Sequence, residues 1–248
     1  MNVVFLGATK GMGRALSRKM AARGDRLALL GRTEASLVDT AHDLEVRGAT
    51  STSTHRCDLE HPEGFEAALD AAFAALGHVD AVVVTAGLFA TQEELEADAS
   101  LAERVTRVNF TNTVVFCEAA RRRLLGQDGG KGRGKLCVFS SVAGERGRKP
   151  VVIYGASKAG LTRYLEGLDH KFRAQGLEVI TVKPGFVKTG MTAGLKPPPF
   201  AGEPDAVAET VLHAIDRGDA VVYAPAPWAL VMAVIRHLPR GVMRRVGF

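Results

Sequence analysis

The sequence predicts an α/β protein built on a doubly wound, parallel sheet of about seven strands with helices on both faces. Three observations predict it. Short β-branched runs recur at wide intervals, several of them are apolar throughout rather than alternating, and the segments between them carry helical spacing and good helix formers. An all-apolar run is how a strand buried on both faces of a parallel sheet reads. Strands alternating with helices give βαβ units with right-handed crossovers.

The first strand is expected over residues 2–6, where the run NVVFL ends at once in glycine, with a helix over 12–23. A second strand over 27–30 (LALL) precedes a helix over 34–47, and a more polar strand over 51–57 precedes one over 62–76. The fourth strand, 81–84 (AVVV), leads to a long helix over 101–125. A glycine-rich stretch over 126–134 is short enough to be a helix-to-strand turn before the fifth strand, 136–139. A helix over 154–175, a strand over 179–182, a helix over 205–217 and a last strand over 220–223 complete the pattern. The stretch 190–204 holds three consecutive prolines, which neither a helix interior nor a central strand accepts, so it is read as an insert. Without a Pro/Ser-rich linker or a repeat, residues 1–248 read as a single domain.

Composition excludes several classes. A chain of 248 residues, 46% hydrophobic and 24% charged, can bury a sizeable core, which rules out a disordered chain, collagen and a disulfide scaffold. Cys57, Cys117 and Cys137 are far apart, odd in number and in no metal-binding spacing, as expected of free thiols in a reducing cytoplasm. The N-terminus lacks a signal-peptide pattern, and no stretch approaches the roughly 20 apolar residues of a membrane span. The expected location is cytoplasmic, and no metal site is expected.

The first strand runs into Gly7-Ala8-Thr9-Lys10-Gly11-Met12-Gly13, and a helix follows. Such a tight turn lets backbone N–H groups and a helix N-terminus approach a pyrophosphate, although three glycines can also be merely a turn. A site selective for NAD places a carboxylate roughly 20 residues on, at the end of the second strand. Here Leu30-Gly31-Arg32 stands in that place. Arg32 and Lys10 together offer donors to a 2′-phosphate, which points to NADP(H); either alone reads rather as a solvated surface charge.

Tyr154 and Lys158 sit four apart at the start of a helix and project from one face. A tyrosine of pKa about 10 must come down some ~3 units, about 4 kcal/mol, to exchange protons freely near neutrality, and a nearby ammonium favours the phenolate. The pattern also fits a helix with an aromatic on its core face and a lysine in solvent.

Taken together, these motifs resemble the short-chain dehydrogenase/reductase family over nearly the entire chain. The glycine loop has the family's G-x-x-x-G-x-G spacing, and basic residues occupy the positions of Lys10 and Arg32 in its NADP-preferring members. The resemblance implies a Rossmann-type sheet in strand order 3-2-1-4-5-6-7 and a homodimer or homotetramer. It further implies that Gly7, Thr9, Lys10, Gly11, Met12, Gly13 and Arg32 bind the cofactor. Asp58 and Leu59 follow the third strand, with the aspartate on the adenine amino group, and Ala86 and Gly87 follow the fourth. Thr85 departs from the family's asparagine, which puts in doubt the side-chain hydrogen bond behind the cofactor. Pro184, Gly185, Val187 and Thr189 follow the sixth strand, with the threonine hydroxyl on the nicotinamide carboxamide.

The same resemblance makes Asn109, Ser141, Tyr154 and Lys158 the catalytic set, with Ser140 turned to the strand end instead. It implies hydride transfer between the nicotinamide and a carbonyl or carbinol carbon. Tyr154 gives its proton to the developing alkoxide, Ser141 hydrogen-bonds the same oxygen, Lys158 lowers the tyrosine pKa and holds the ribose, and Asn109 anchors a relay water. Asn109, Tyr154 and Lys158 thereby count among the cofactor contacts too.

Substrate choice is expected to lie with Leu88, Phe89, residues 142–152, Phe186 and the insert, residues 190–204, read as a lid or a rigid surface loop. Arg146, Arg148 and Lys149 are either plain surface charges or partners for an anionic group on the substrate. Residues 1–219 carry 28 basic and 27 acidic side chains, whereas 220–248 carry four arginines, no acid and many apolar residues. That tail after the last strand either closes the substrate side, forms a subunit interface, or lies on an anionic membrane surface through 228–248. The runs over 140–146 and 232–240 resemble the keto-reductase branch acting on decaprenylphosphoryl-ribose, which implies an amphiphilic, lipid-linked sugar as substrate. Two readings of other classes stand beside the oxidoreductase. One is a dinucleotide-binding redox sensor without turnover; the other, a nucleic-acid binder, rests on the basic isoelectric point alone and has no supporting motif.

Overall fold

A computed structural model of the protein describes residues 1–247; Phe248, part of the tail reading, lies outside the described residues. Seven parallel strands form one sheet in the order β3-β2-β1-β4-β5-β6-β7. They are β1 (Asn2–Leu6), β2 (Arg26–Gly31), β3 (Ser51–Arg56), β4 (Ala81–Val84), β5 (Gly134–Phe139), β6 (Leu177–Pro184) and β7 (Val221–Ala224). The expected order is the observed one. The order reverses between β1 and β4, and the loops leaving those two carboxyl ends part to make the crevice in which such sheets bind ligands.

The apolar strands have the predicted reason. On β1, Val3 and Phe5 face one core with Leu16, Met20, Val211 and Ile215, while Val4 and Leu6 face a second with Phe65, Phe116 and Leu161. The helices over the first core are α1 (Gly11–Ala22), α2 (Glu34–Val46) and, further on, Pro204–Arg217. The second is covered by α3 (Phe65–Leu76) and by two later helices that carry Phe116 and Leu161. The edge strand β3, sequence STSTHR, is only half-buried, which accounts for its polarity. All three cysteines are buried free thiols.

The expected helix over 101–125 is observed as three pieces. After α4 (Gln92–Ala97), which the sequence reading missed, come α5 (Ala99–Thr106), a π-helical turn over Arg107–Asn112 and α6 (Thr113–Gly130). The α6 backbone leaves helical geometry at Gln127, Asp128 and Gly129, so the glycine-rich stretch is a turn as expected. Helix α7 (Val152–Phe172) starts two residues earlier than expected because Gln92 Oε1 accepts from the Val152 and Ile153 amides, capping its first turn. Beyond α8 (Pro204–Arg217) and β7, the tail forms α9 (Pro227–His237), breaks at Leu238-Pro239, and ends in the short α10 (Arg240–Met243).

Candidate active site

The glycine loop joins β1 to α1 with Gly7 at φ +100 and Gly11 at φ +51, a region L side chains avoid. Gly13 is required by contact rather than by φ: a Cβ there would lie 2.1 Å from the Gly7 carbonyl oxygen and 2.4 Å from Thr85 Oγ1. Lys10 caps α1 with extended backbone and no side-chain bond, and no acid occupies the first turn, so the helix offers its free N–H groups and positive end. Arg14 Nε donates to the Thr9 carbonyl at 2.8 Å and holds the loop's shape. Thr85 proves useful where the sequence left doubt, because its hydroxyl donates to the Gly7 carbonyl at 2.9 Å and braces the loop from β4.

Thr189 stands across this loop: a Cβ on Gly11 would meet its Cγ2 at 3.4 Å. Pro184 ends β6, Gly185 follows it, and Val187 is buried. Ala86 and Gly87 are half-buried where β4 ends. Asp58 is half-buried and accepts from the Glu60 amide at 3.1 Å, while the buried Leu59 gives its carbonyl to Asn112 at 2.6 Å. Arg32 and Lys10 are both exposed at the crevice rim. The nearest acid to Arg32 is Glu60, at 3.8 Å, but Arg104 already grips Glu60 at 2.5 and 2.7 Å. Arg32 is thus held only by this longer contact, with its guanidinium exposed.

The catalytic candidates converge at the carboxyl ends of β4 and β5. Ser141 caps a single 3-10 turn, Val142–Gly144, its Oγ accepting from the Ala143 amide at 3.0 Å. Ser140 points the other way, bonded to the Lys158 carbonyl at 3.0 Å and to Thr162 at 2.7 Å, as a structural strand-end residue does. Tyr154 stacks edge-on against Phe89 with centroids 5.1 Å apart, and the Lys158 Nζ lies 5.9 Å from its ring. Lys158 is buried and donates to the Phe139 carbonyl at 3.0 Å. A Cβ on Gly87 would meet both Asn109 Oδ1, at 3.1 Å, and Lys158 Nζ, at 3.6 Å, which shows how closely these groups gather.

Asn109 occupies the π-helical turn. The extra residue in that turn aims its buried side chain at Leu88, accepting from the Leu88 amide and donating to the Leu88 carbonyl, both at 2.7 Å. Its amide therefore locks the loop after β4, which the expected water-anchoring role did not foresee. The expected lowering of the Tyr154 pKa by Lys158 is not what the structure gives: burial pushes the phenol up to about 12, opposed by the Ser141 hydroxyl, and pushes Lys158 down to about 8.

A profile of the short chain dehydrogenase family matches residues 1–199. The chain belongs to the short-chain dehydrogenase/reductase family. It is 33% identical over 248 residues to an uncharacterized oxidoreductase of Mycobacterium tuberculosis, with 98% of this chain and 96% of the relative covered. It is 29% identical over 221 residues to carbonyl reductase family member 4 of Danio rerio, covering 86% and 90% of the two chains. Among solved structures it resembles the 3-oxoacyl-[acyl-carrier protein] reductase of Brucella melitensis in complex with NAD, at TM-score 0.77 and 27% identity over 90% and 94% of the two chains. Proteins of this family are oxidoreductases that bind a nicotinamide dinucleotide. The glycine loop, the uncapped α1 N-terminus and the Thr189 wall fit that group.

Around the Ser141 loop of this dehydrogenase/reductase, the structure adds an ion-pair knot at Glu145 that the sequence did not single out. Glu145, 5% exposed, pairs with Lys183 at 2.5 Å and with Arg236 at 3.3 Å. One buried carboxylate thereby ties the Ser141 loop to the end of β6 and to α9. The inner face of α9, Trp228, Met232 and Ile235, packs with Val142 and Phe186. Trp228 lies over Gly185, where a Cβ would be 2.1 Å from its Nε1, and donates to the Phe200 carbonyl at 3.1 Å. The insert is clasped at its base by a Val187–Gly202 bridge, and a cavity of about 320 Å³ lies there, lined by Phe186, Lys188, Thr189, Leu195 and Pro197 among others. Only the acid among the basic residues 145–149 could have flagged the Glu145 knot; its partners are remote in sequence.

Proposed function

We propose that the protein is an NADP(H)-dependent oxidoreductase that interconverts a carbonyl and a secondary alcohol on an apolar or amphiphilic substrate, working in the cytoplasm as a homo-oligomer. The observation that carries this reading is the gathering of Ser141, Tyr154, Lys158 and Asn109 beside the glycine loop at the sheet's switch point. When bound, the nicotinamide supplies or accepts the hydride. Ser141 Oγ orients the substrate oxygen, and the Tyr154 hydroxyl donates its proton to that oxygen as negative charge develops there. Lys158 holds a positive charge beside the phenol, and Asn109 keeps the Leu88 loop in register with the helix that carries it. The insert, residues 190–204, acts as the lid, and α9 closes the substrate side from above. A keto-reductase of a lipid-linked sugar is the narrower form of this reading, favoured by the apolar surface around the lid.

The exposed guanidinium of Arg32, with Lys10 within the loop, supports NADP(H) as the preferred cofactor. Arg32→Ala is expected to weaken NADPH binding about 10- to 100-fold, the loss of a charge-assisted hydrogen bond, with NADH binding unchanged. Titration of both cofactors by fluorescence checks this; an unchanged NADPH-to-NADH ratio would count against it.

The outer face of α9 supports contact with an anionic membrane. Leu230 and Val234 are 73% and 57% exposed, Phe200 of the lid is 57% exposed, and Arg240, Arg244 and Arg245 are exposed without ion pairs among the described residues. No helix is long and apolar enough to cross a membrane among those residues. An apolar face rimmed by arginines suits an interface rich in anionic lipid. The double variant Leu230→Asp/Val234→Asp is expected to abolish co-sedimentation with phosphatidylglycerol vesicles. Retained co-sedimentation would refute the contact, and a monomer shift in gel filtration would assign the face to a subunit interface.

A further inference from the structure

Arg148 lies between Ser141 and Tyr154 in sequence, at the start of the 3-10 turn Lys149–Val151 that leads into α7. The residue is half-buried, and its Nε is shielded from solvent with no hydrogen-bond partner. It makes no ion pair among the described residues, and burial lowers its pKa without any acid opposing the shift. A guanidinium N–H sealed from water with no acceptor is destabilising, and here it is the Nε that is left unmet.

None of the neighbouring acids pairs with Arg148. Glu145, in the same loop, is taken by Lys183 and Arg236. On α4, which packs against this loop, Glu94 closes a capping box with Thr91 and Glu96 accepts from Gln92 at 2.8 Å. The other cations of the loop behave differently: Arg146 donates to the Leu238 carbonyl at 2.8 Å, and Lys149 is exposed. Of the three basic residues read from sequence as surface charges or substrate partners, Arg148 alone combines burial with an unmet donor.

We propose that Arg148 is a specificity residue that receives an anionic group, carboxylate or phosphate, of the carbonyl substrate. A planar guanidinium matches either group with paired donors, and Arg148 opens the turn that leads directly into α7, whose first turn carries Tyr154. The proposal rests on the oxidoreductase reading above and names its substrate class.

The test compares acetophenone, 4-acetylbenzoate and 4-acetylphenyl phosphate as substrates with NADPH, in the wild type, Arg148→Ala and Arg148→Lys. The wild type is expected to prefer one or both anionic ketones, and the anionic-to-neutral ratio of kcat/KM is expected to fall about 10- to 100-fold in Arg148→Ala, with partial recovery in Arg148→Lys. The two anionic ketones separate a carboxylate from a phosphate source. A wild-type ratio near one, or a ratio that Arg148→Ala leaves alone, overturns the proposal, as does a change of oligomeric state with no change in the ratio. If NADPH binds yet no ketone turns over, the oxidoreductase reading fails instead. Calorimetric binding of phenyl phosphate to the NADPH complex, present in the wild type and lost in Arg148→Ala, then decides the role of Arg148 by itself.

Discussion

Tyr154→Phe will lower kcat for carbonyl reduction by about 10³-fold while NADPH still binds, since a positioned proton donor contributes about 10²–10⁴-fold. The direction of its pKa shift makes the role specific. Burial raises the phenol to about 12, so Tyr154 is protonated throughout the physiological range and stands ready as an acid, which suits reduction. Lys158, lowered to about 8 by the same burial, is charged below that pH and neutral above it. Reductive kcat/KM is therefore expected to stay level up to about pH 8 and to fall above it, as the positive charge beside the developing alkoxide is lost. Lys158→Arg, which stays charged, should move that fall out of range. A profile rising through pH 8 would show that the lysine does not act through its charge.

Gly13→Ala will abolish measurable dinucleotide binding and lower stability by about 1–3 kcal/mol, the range for overpacking a tight contact. The added Cβ would meet the Gly7 carbonyl oxygen at 2.1 Å and Thr85 Oγ1 at 2.4 Å, and a backbone carbonyl cannot step aside as a side chain can. Helix α1 must instead move off β1, taking with it the N–H groups offered to the pyrophosphate; a misplacement of about 1 Å can cost about 10²-fold. Gly126→Ala is the control, since nothing lies within 4 Å of a Cβ there. Thermal melts and NADPH titration of both variants check the expectation, and equal binding by the two would contradict it.

Much of the fold was legible because its signals are local. The runs NVVFL, LALL and AVVV are apolar on both faces because both faces are buried, and glycines at 7, 11 and 13 mark a turn that few other residues can make. The π-helical turn around Asn109 was not legible, because one extra residue in a helix leaves the apolar spacing nearly unchanged. Nor could spacing reveal that Thr85 replaces an expected asparagine by bracing Gly7, a contact between the loops that follow β1 and β4. The tail's basic, apolar character was plain, but which face of α9 turns inward depends on Trp228 finding Gly185 and Phe200. The state of Arg148 was the least accessible, since whether a buried donor finds an acceptor depends on contacts that spacing does not record.

Hydride transfer itself is the most direct test of the central claim. The protein is given NADPH carrying deuterium at C4 of the nicotinamide and 4-acetylbenzoate, and the alcohol is analysed by mass spectrometry. The account predicts deuterium at the carbinol carbon from one face of the nicotinamide only, with the yield collapsing in Tyr154→Phe. Bound NADPH with no deuterated alcohol from this or any ketone of the series, or equal transfer by Tyr154→Phe, would contradict it.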